Sequence, residues 1–596
     1  MAEPVNGGSN NQAPPPKEEM SMEVRLLIAF VLMGAVMFAW QFLYKPEPPP
    51  AVKKAAAPTQ TMPAAGQPAG SAAAPAGTEP AVPPPVEAAQ TAAPASAALT
   101  SRPTPQRSEP VFVVDTNIYK VTFSNQGATV HSWILKDQRA KKYRGNDDKP
   151  LDLINSAAGA FPFSLYFPGP KPTTDVNWAW YTQTPDPDGL GVTYKFSDGH
   201  TTVTKVFHFK KDSYLSTVSC EVSIDGKPVP GMVQWRGGFG DLTLASAASN
   251  QKTLYFDVSQ NKLVEDPAVK ASKSGPAGVA SAGTFSFAGL ADTYFAAVFL
   301  PQNNARIEVV SFGDTVRTPL EEKPLPYSGV AVSDGDGNRF ELFVGPKDVD
   351  LLRGINPKLE QVVDFGWLGV LAKPLFLVVN WLNDHAVHNF GWAIVLVTVL
   401  INFVLFPLKL TNMKSMRKMQ ALKPQIDAIN DRYKNVGLRD PKKAEQNQEV
   451  MDLYKKYGVN PMGGCVPMLL QIPFFIAFYR VFTVSVEMRG ATWLWVHDLS
   501  QAEPSPIKIL PIVMIASQFI MQKMTPQAGG DPNQQKMMMF MPLIFGFMFY
   551  QFPSGLVLYY LTSNLVSMGQ QYFFNHTEVA EAAARSVAPP KKTGRK

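Results

Sequence analysis

The sequence predicts a polytopic α-helical membrane protein of six spans, five of them in a carboxyl-terminal core. A large all-β domain of sandwich type is expected between the first span and that core. Three observations predict this. Apolar runs crowd residues 365–574, and a separate uncharged run, Leu26–Tyr44, lies near the amino terminus. Between them, over residues 110–350, short β-type runs alternate with Asp-Gly turn pairs. A stretch rich in Pro and Ala, residues 46–108, joins the two and has no means of forming a core.

A chain of 596 residues holds more than one domain. Its mean hydropathy of -0.07 averages a polar half and an apolar half. The net charge is +6, and between Lys409 and Gly464 alone twelve Lys and Arg stand against six Asp and Glu. The positive charge is therefore local, as expected for a segment beside a membrane or an anionic partner. Cys220 and Cys465 form neither a CxxC pair nor a disulfide framework. No four-ligand metal spacing and no GxxxxGK[ST] phosphate loop occurs, so no cofactor is expected and an ATP-driven machine is disfavoured.

In order, residues 1–25 form a polar tail. Residues 26–44 are longer than the roughly 7–15 residue core of a signal peptide and read as an uncleaved anchor. Residues 45–109 are a semi-rigid linker. Residues 110–363 read as the β domain, with runs such as VTYKF, TTVTKVFHF and YLSTVSCEVSI and turns at Asp198-Gly199, Asp225-Gly226 and Asp336-Gly337. His131, His200 and His208 are scattered there and no paired carboxylates stand out, which favours a scaffold or binding module over an enzyme. Residues 364–384 are interrupted by Lys373-Pro374 and bracketed by Trp367 and Trp381, so they read as an amphipathic helix lying in the interface. The core follows over 390–574, with spans at about 390–410, 466–486, 507–522, 537–551 and 556–574. A polar helical hairpin, 411–460, interrupts it, and a basic tail, 575–596, ends the chain. The last two spans are separate because a single 38-residue helix over 537–574 would reach about 57 Å, roughly twice the hydrocarbon thickness. Phe552-Pro553-Ser554-Gly555 supplies the break.

The basic hairpin belongs on the cytoplasmic side. The β domain is then external, and both termini are internal. This parity holds only if 364–384 does not span and 537–574 spans twice.

Polar residues inside the spans then acquire a depth. Thr398, Asn402 and Lys409 share one face of Gly391–Leu410, read as a single span. Gln471, Ser517, Gln518, Thr562, Ser563 and Asn564 lie toward the cytoplasmic side of other spans, with Tyr559 and Tyr560 further out. Each alone is explained by an interhelical hydrogen bond of about 1 kcal/mol. Their gathering on one side predicts a hydrated recess open to the cytoplasm, which shortens the path of a polar segment through hydrocarbon. Such a recess suits an insertase, with a small-molecule transporter carrying a midplane site as an alternative. An envelope-anchored sugar-binding protein is a third reading.

Several motifs, in order and spacing, resemble the YidC membrane protein insertase family. They are Asn460-Pro461-Met462-Gly463-Gly464-Cys465, Pro467-Met468-Leu469-Leu470-Gln471-Ile472-Pro473, His497-Asp498-Leu499 and Phe552-Pro553-Ser554-Gly555-Leu556-Val557-Leu558-Tyr559-Tyr560. The resemblance covers about 365–574. It implies a five-helix insertase core around a hydrophilic groove in a Gram-negative inner membrane, with a periplasmic β-supersandwich. It implies work on nascent membrane proteins, alone or with the Sec translocon, within the lipid bilayer. Ribosome contact would use the basic hairpin, with Lys414, Arg417 and Lys418, and the tail. Gln471, Tyr559 and Tyr560 would line or border the groove, with Thr398, Asn402, Gln518, Thr562 and Ser563. The family usually places an arginine in the groove where Asn402 stands. Lys409, two turns away, is expected to reach inward only partly, leaving the groove without its fixed cation, and Asn402→Arg is expected to be tolerated.

Overall fold

The computed structural model describes residues 111–136, 150–244, 250–302, 306–317, 324–335, 337–434, 442–459, 466–525 and 542–577, with 581, 582 and 585. The expected amino-terminal tail, anchor and linker lie outside the described residues. So do Asn460–Cys465, residues 537–541 of the expected fourth core span, and most of the carboxyl-terminal tail.

From Val113 to Pro346 the described residues form strands joined by short turns, with two short helical turns and one five-residue helix, Ala268–Ser272. A three-stranded sheet pairs Val113–Asp115, Tyr119–Ser124 and Thr129–Leu135. A second sheet has fourteen strands, and every pairing is antiparallel. The run TTVTKVFHF forms strand Thr201–Phe209, paired with Leu215–Ile224 from Thr201 opposite Ile224 to Phe209 opposite Ser216. Its alternation buries Val203, Lys205, Phe207 and Phe209 on one face, as the period of two requires. Strand Val279–Ala291 has three partners. Its first half pairs with Arg306–Val316, and its end lies between Phe295–Pro301 and Lys252–Asp257. The sheet thus bends around a core rich in aromatic residues, among them Trp133, Trp235, Phe123 and Phe207.

The chain then turns helical. Gly369–Leu382 is followed by a π-helical turn, Asn383–Val387, and His388 in the left-handed conformation. Asn389 caps the next helix, Phe390–Val404, by accepting the Trp392 N–H at 3.2 Å. The chain bends by 116° between the two helical segments. Trp367 and Trp381, at the ends of the first, are 67% and 58% exposed. Gly391 is required where the second begins, since a Cβ there would sit 2.2 Å from the Trp493 ring.

The expected single helix over 390–410 is broken. It ends at Val404, and a new helix, Phe406–Arg432, starts after Leu405. Pro407 is the reason, because it has no N–H for the Phe403 carbonyl and its ring crowds that turn. Val466–Val484, Ile509–Met524, a short helix over 542–549 and a final helix, Ser554–Asn575, complete the core. No single described helix is long and apolar enough to cross a membrane; the bent pair Gly369–Val387 and Phe390–Val404 meets that test together.

Contacts divide the chain into two compact units, one of which comprises Pro424–Gly458 among the described residues. That unit is a helical hairpin ending in Lys442–Lys456. Arg432 pairs with Glu449 at 2.5 Å, the Tyr433 hydroxyl donates to Glu449 at 3.0 Å, and Gln446 donates to Asn430 at 2.7 Å.

Candidate functional site

The helices of the core bury polar groups and expose apolar ones. On Phe390–Val404, Trp392, Leu396, Leu400 and Phe403 are exposed at helical spacing, while Thr398 and Asn402 on the opposite face are 0% and 3% exposed. On Ile509–Met524, Ile509, Ile512, Val513 and Ile520 are exposed, and Ser517 is buried. A helix in water is arranged the other way round.

The buried groups meet around Asn402. Its Nδ2 donates to the Thr398 carbonyl at 2.8 Å and to Ser563 Oγ at 3.4 Å. Its carbonyl accepts from Gln570 at 3.2 Å. Gln471 donates to Ser563 Oγ at 3.2 Å, so three helices contribute to one knot. The Thr398 hydroxyl is spent on its own helix, donating to the Ile394 carbonyl at 2.7 Å. The residue after Ser563, Asn564, donates to Ser517 Oγ at 3.0 Å. Gln518 lies beside it, and its Oε1 is buried without a hydrogen-bond partner. Thr562 is buried on the final helix. Tyr559 and Tyr560 sit toward the other end and pack against rings, Tyr559 on Phe478 at 4.4 Å and Tyr560 on Phe549 at 4.8 Å.

The expectation for Lys409 is corrected. Its Nζ donates to Asn402 Oδ1 at 2.5 Å and to Ser567 Oγ at 3.0 Å. Side chains on a helix lean toward its amino terminus, so a lysine seven residues beyond Asn402 leans back over it. The break at Leu405 lies between the two. A cation therefore does reach the position where the family's arginine is expected. It follows that Asn402→Arg would place a second positive charge against the Lys409 ammonium.

Ser567 and Gln570 complete the knot and were not among the residues singled out from sequence. Their signal was available, because Ser563, Ser567 and Gln570 fall at i, i+4 and i+7 on one face of the final helix. Lys414, Arg417 and Lys418 lie on Phe406–Arg432, five to nine residues beyond Lys409. Lys414 is exposed, and Arg417 donates to Gln420 at 2.6 Å.

In the β region, His131 stacks on Phe161 at 3.8 Å and His200 pairs with Asp225 at 2.8 Å. His208 lies 3.5 Å from Asp186.

A sequence profile of the family described as 60Kd inner membrane protein matches residues 381–581, and one described as YidC periplasmic domain matches residues 112–378. A membrane protein insertase YidC of Syntrophus aciditrophicus (strain SB) is 32% identical over 589 residues, 93% of this chain and 99% of its own. Another, of Ralstonia nicotianae (strain ATCC BAA-1114 / GMI1000), is 35% identical over 519 residues, 84% of this chain and 89% of its own. A crystal structure of an active YidC insertase with the first transmembrane domain resolved is 21% identical and covers 79% of this chain and 93% of its own, with a TM-score of 0.36. The two profiles adjoin within helix Gly369–Leu382, and the relatives align over most of the length. The chain thus belongs to the YidC family of membrane protein insertases.

Proposed function

We propose that this protein is a membrane protein insertase and chaperone, passing hydrophobic segments of nascent inner-membrane proteins into lipid past the polar knot at Asn402. The observation that carries this reading is the inverted burial of the core helices, apolar outside and polar inside, with the Lys409 cation held at the knot. An apolar outer face is at ease in lipid, where a polar or ionisable side chain is tolerated only facing the bundle interior.

The knot is closed by side chains, and side-chain hydrogen bonds between helices in lipid are worth only about 1 kcal/mol each. Leaving a polar segment unsatisfied in hydrocarbon costs several times that per group, roughly 2–7 kcal/mol. A polar substrate segment arriving at the knot therefore gains more from Gln471, Ser563 and Lys409 than the knot loses by releasing them. The adjoining apolar segment leaves sideways into lipid, which supplies the free energy without a nucleotide. Lys409 adds attraction for acidic segments.

In this reading the core spans the membrane as five helices after an amino-terminal anchor. Gly369–Leu382 lies in the outer interface, the β domain is periplasmic, and both termini are cytoplasmic. The domain limits are those given above. Action alone or with the Sec translocon, and ribosome contact through the basic hairpin, belong to the same proposal.

The test is photo-crosslinking from position 471 or 567 to a nascent single-span protein in inner-membrane vesicles. Capture of the arrested chain at either position is expected. Failure at both, with uptake of a small solute intact, would favour the transporter instead.

A further inference from the structure

The β region and the helical core are joined at a place the proposed function does not use. Arg489, in the segment after helix Val466–Val484, pairs with Asp241 of the β region at 2.6 Å. The arginine side chain is 5% exposed and the aspartate 0%, so neither charge is shared with water. The guanidinium lies 4.9 Å from the Tyr294 ring centre and 5.5 Å from that of Phe295. Asp241 is itself fixed, since its N–H donates to Asp292 Oδ2 at 2.7 Å. Asp292 also accepts the N–H groups of Tyr294 and Phe295, at 2.8 and 2.6 Å. Gly240 permits this approach, because its φ is +84° and a Cβ would sit 2.1 Å from the Asp292 carboxylate. Nearby, Val486 is fully buried in the core of the β region.

The segment that carries Arg489 also holds the start of the final helix. Gln501 donates to the Tyr294 hydroxyl at 3.2 Å, and its carbonyl accepts the Ser554 N–H at 2.7 Å and the Ser554 hydroxyl at 2.8 Å. The Leu499 carbonyl accepts the Gly555 N–H at 2.9 Å. Ser554 and Gly555 open the helix that carries Ser563, nine residues or about 13.5 Å further on. A continuous run of hydrogen-bonded contacts therefore leads from Asp241 to the residue that bonds both Asn402 and Gln471.

We infer that Asp241 and Arg489 form an ionic latch through which the β domain sets the position of the final helix, making both of them positioning residues for the Asn402 knot. The inference rests on the reading of that knot as the insertion site. A buried pair suits such a task because it is stiff, and because losing one partner strands the other charge out of water. A latch of exposed charges would be screened and loose.

The test uses the full chain in inner-membrane vesicles, with Cys220→Ala and Cys465→Ser as background. Asn402→Cys and Ser563→Cys, whose native side chains lie 3.4 Å apart, report knot geometry through disulfide yield. A parallel preparation with the native knot reports insertion of a single-span substrate. Asp241→Asn and Arg489→Gln are each expected to lower both readouts, by about tenfold for insertion, with Arg489→Lys restoring part. Tyr294→Phe strands no charge and removes the hydroxyl to which Gln501 donates. It is expected to lower both readouts by about twofold and keeps the test open if the charge variants do not accumulate. Unchanged disulfide yield in folded, protease-resistant variants overturns the latch and leaves the insertion reading standing. Lowered disulfide yield with full insertion upholds the latch and overturns the reading of the knot as the insertion site.

Discussion

The β region buries a lysine and the helical core half-buries one, and they close it in different ways. Lys205 points into the aromatic core of the β region and donates to the Gly127 and Phe163 carbonyls, both at 2.6 Å. Those acceptors belong to the backbone and cannot turn away without undoing the fold. Lys409 in the helical core donates to Asn402 and Ser567, both side chains. Such acceptors rotate, and each is replaceable by water or by a polar group of another chain. A cation closed by backbone is fixed structure, whereas one closed by side chains is available for exchange. The difference agrees with the proposed function, in which the helices work and the sheets support them.

Substitutions at these positions sharpen the contrast. The largest loss of stability is expected from Lys205→Met. It leaves two carbonyls unpaired in a dry core and should cost about 3 kcal/mol. Urea unfolding followed by tryptophan fluorescence reads this directly, since Trp133 and Trp235 lie in the same core. An unchanged midpoint would mean the carbonyls find other partners and the contrast fails.

Lys409→Met should cost only about 1 kcal/mol of stability, because Asn402 and Ser563 keep each other. Insertion of a substrate with an acidic segment should fall about tenfold, with Lys409→Arg close to the parent. Asn402→Arg should lower insertion through repulsion from Lys409, and Lys409→Ala in the same chain should restore it. Tolerance of Asn402→Arg alone would show that Lys409 swings away with little penalty. Protease protection of a labelled substrate measures all of these.

The smallest effect is expected from Ser517→Ala. It removes the Asn564 partner away from the cation, for about 0.6 kcal/mol and near-normal insertion. A loss as large as that of Lys409→Met would extend the working site along the final helix.

Much of this arrangement was legible. The strand Thr201–Phe209 was marked by its alternation, and the break before Ser554 by Pro553 and Gly555. Thr398 and Asn402 showed as a polar stripe at helical spacing. The reach of Lys409 was not legible, because treating 390–410 as one straight helix hid the break that Pro407 makes at Leu405. Ser567 and Gln570 passed unnoticed in a segment read for its apolar length. Nothing local marked Asp241 or Arg489, since a single charge in a turn looks like a solvated one.

The sequence by itself determined which segments are apolar, which alternate, where the chain turns, and which family motifs it carries. These are local properties, set by composition and by the periods of helix and strand. Only the tertiary structure decided which polar groups meet. Asn402 and Ser563 are 161 residues apart, and Asp241 and Arg489 are 248. At such separations pairing is fixed by how whole elements pack, and a buried charge or amide must find its partner there because water is absent.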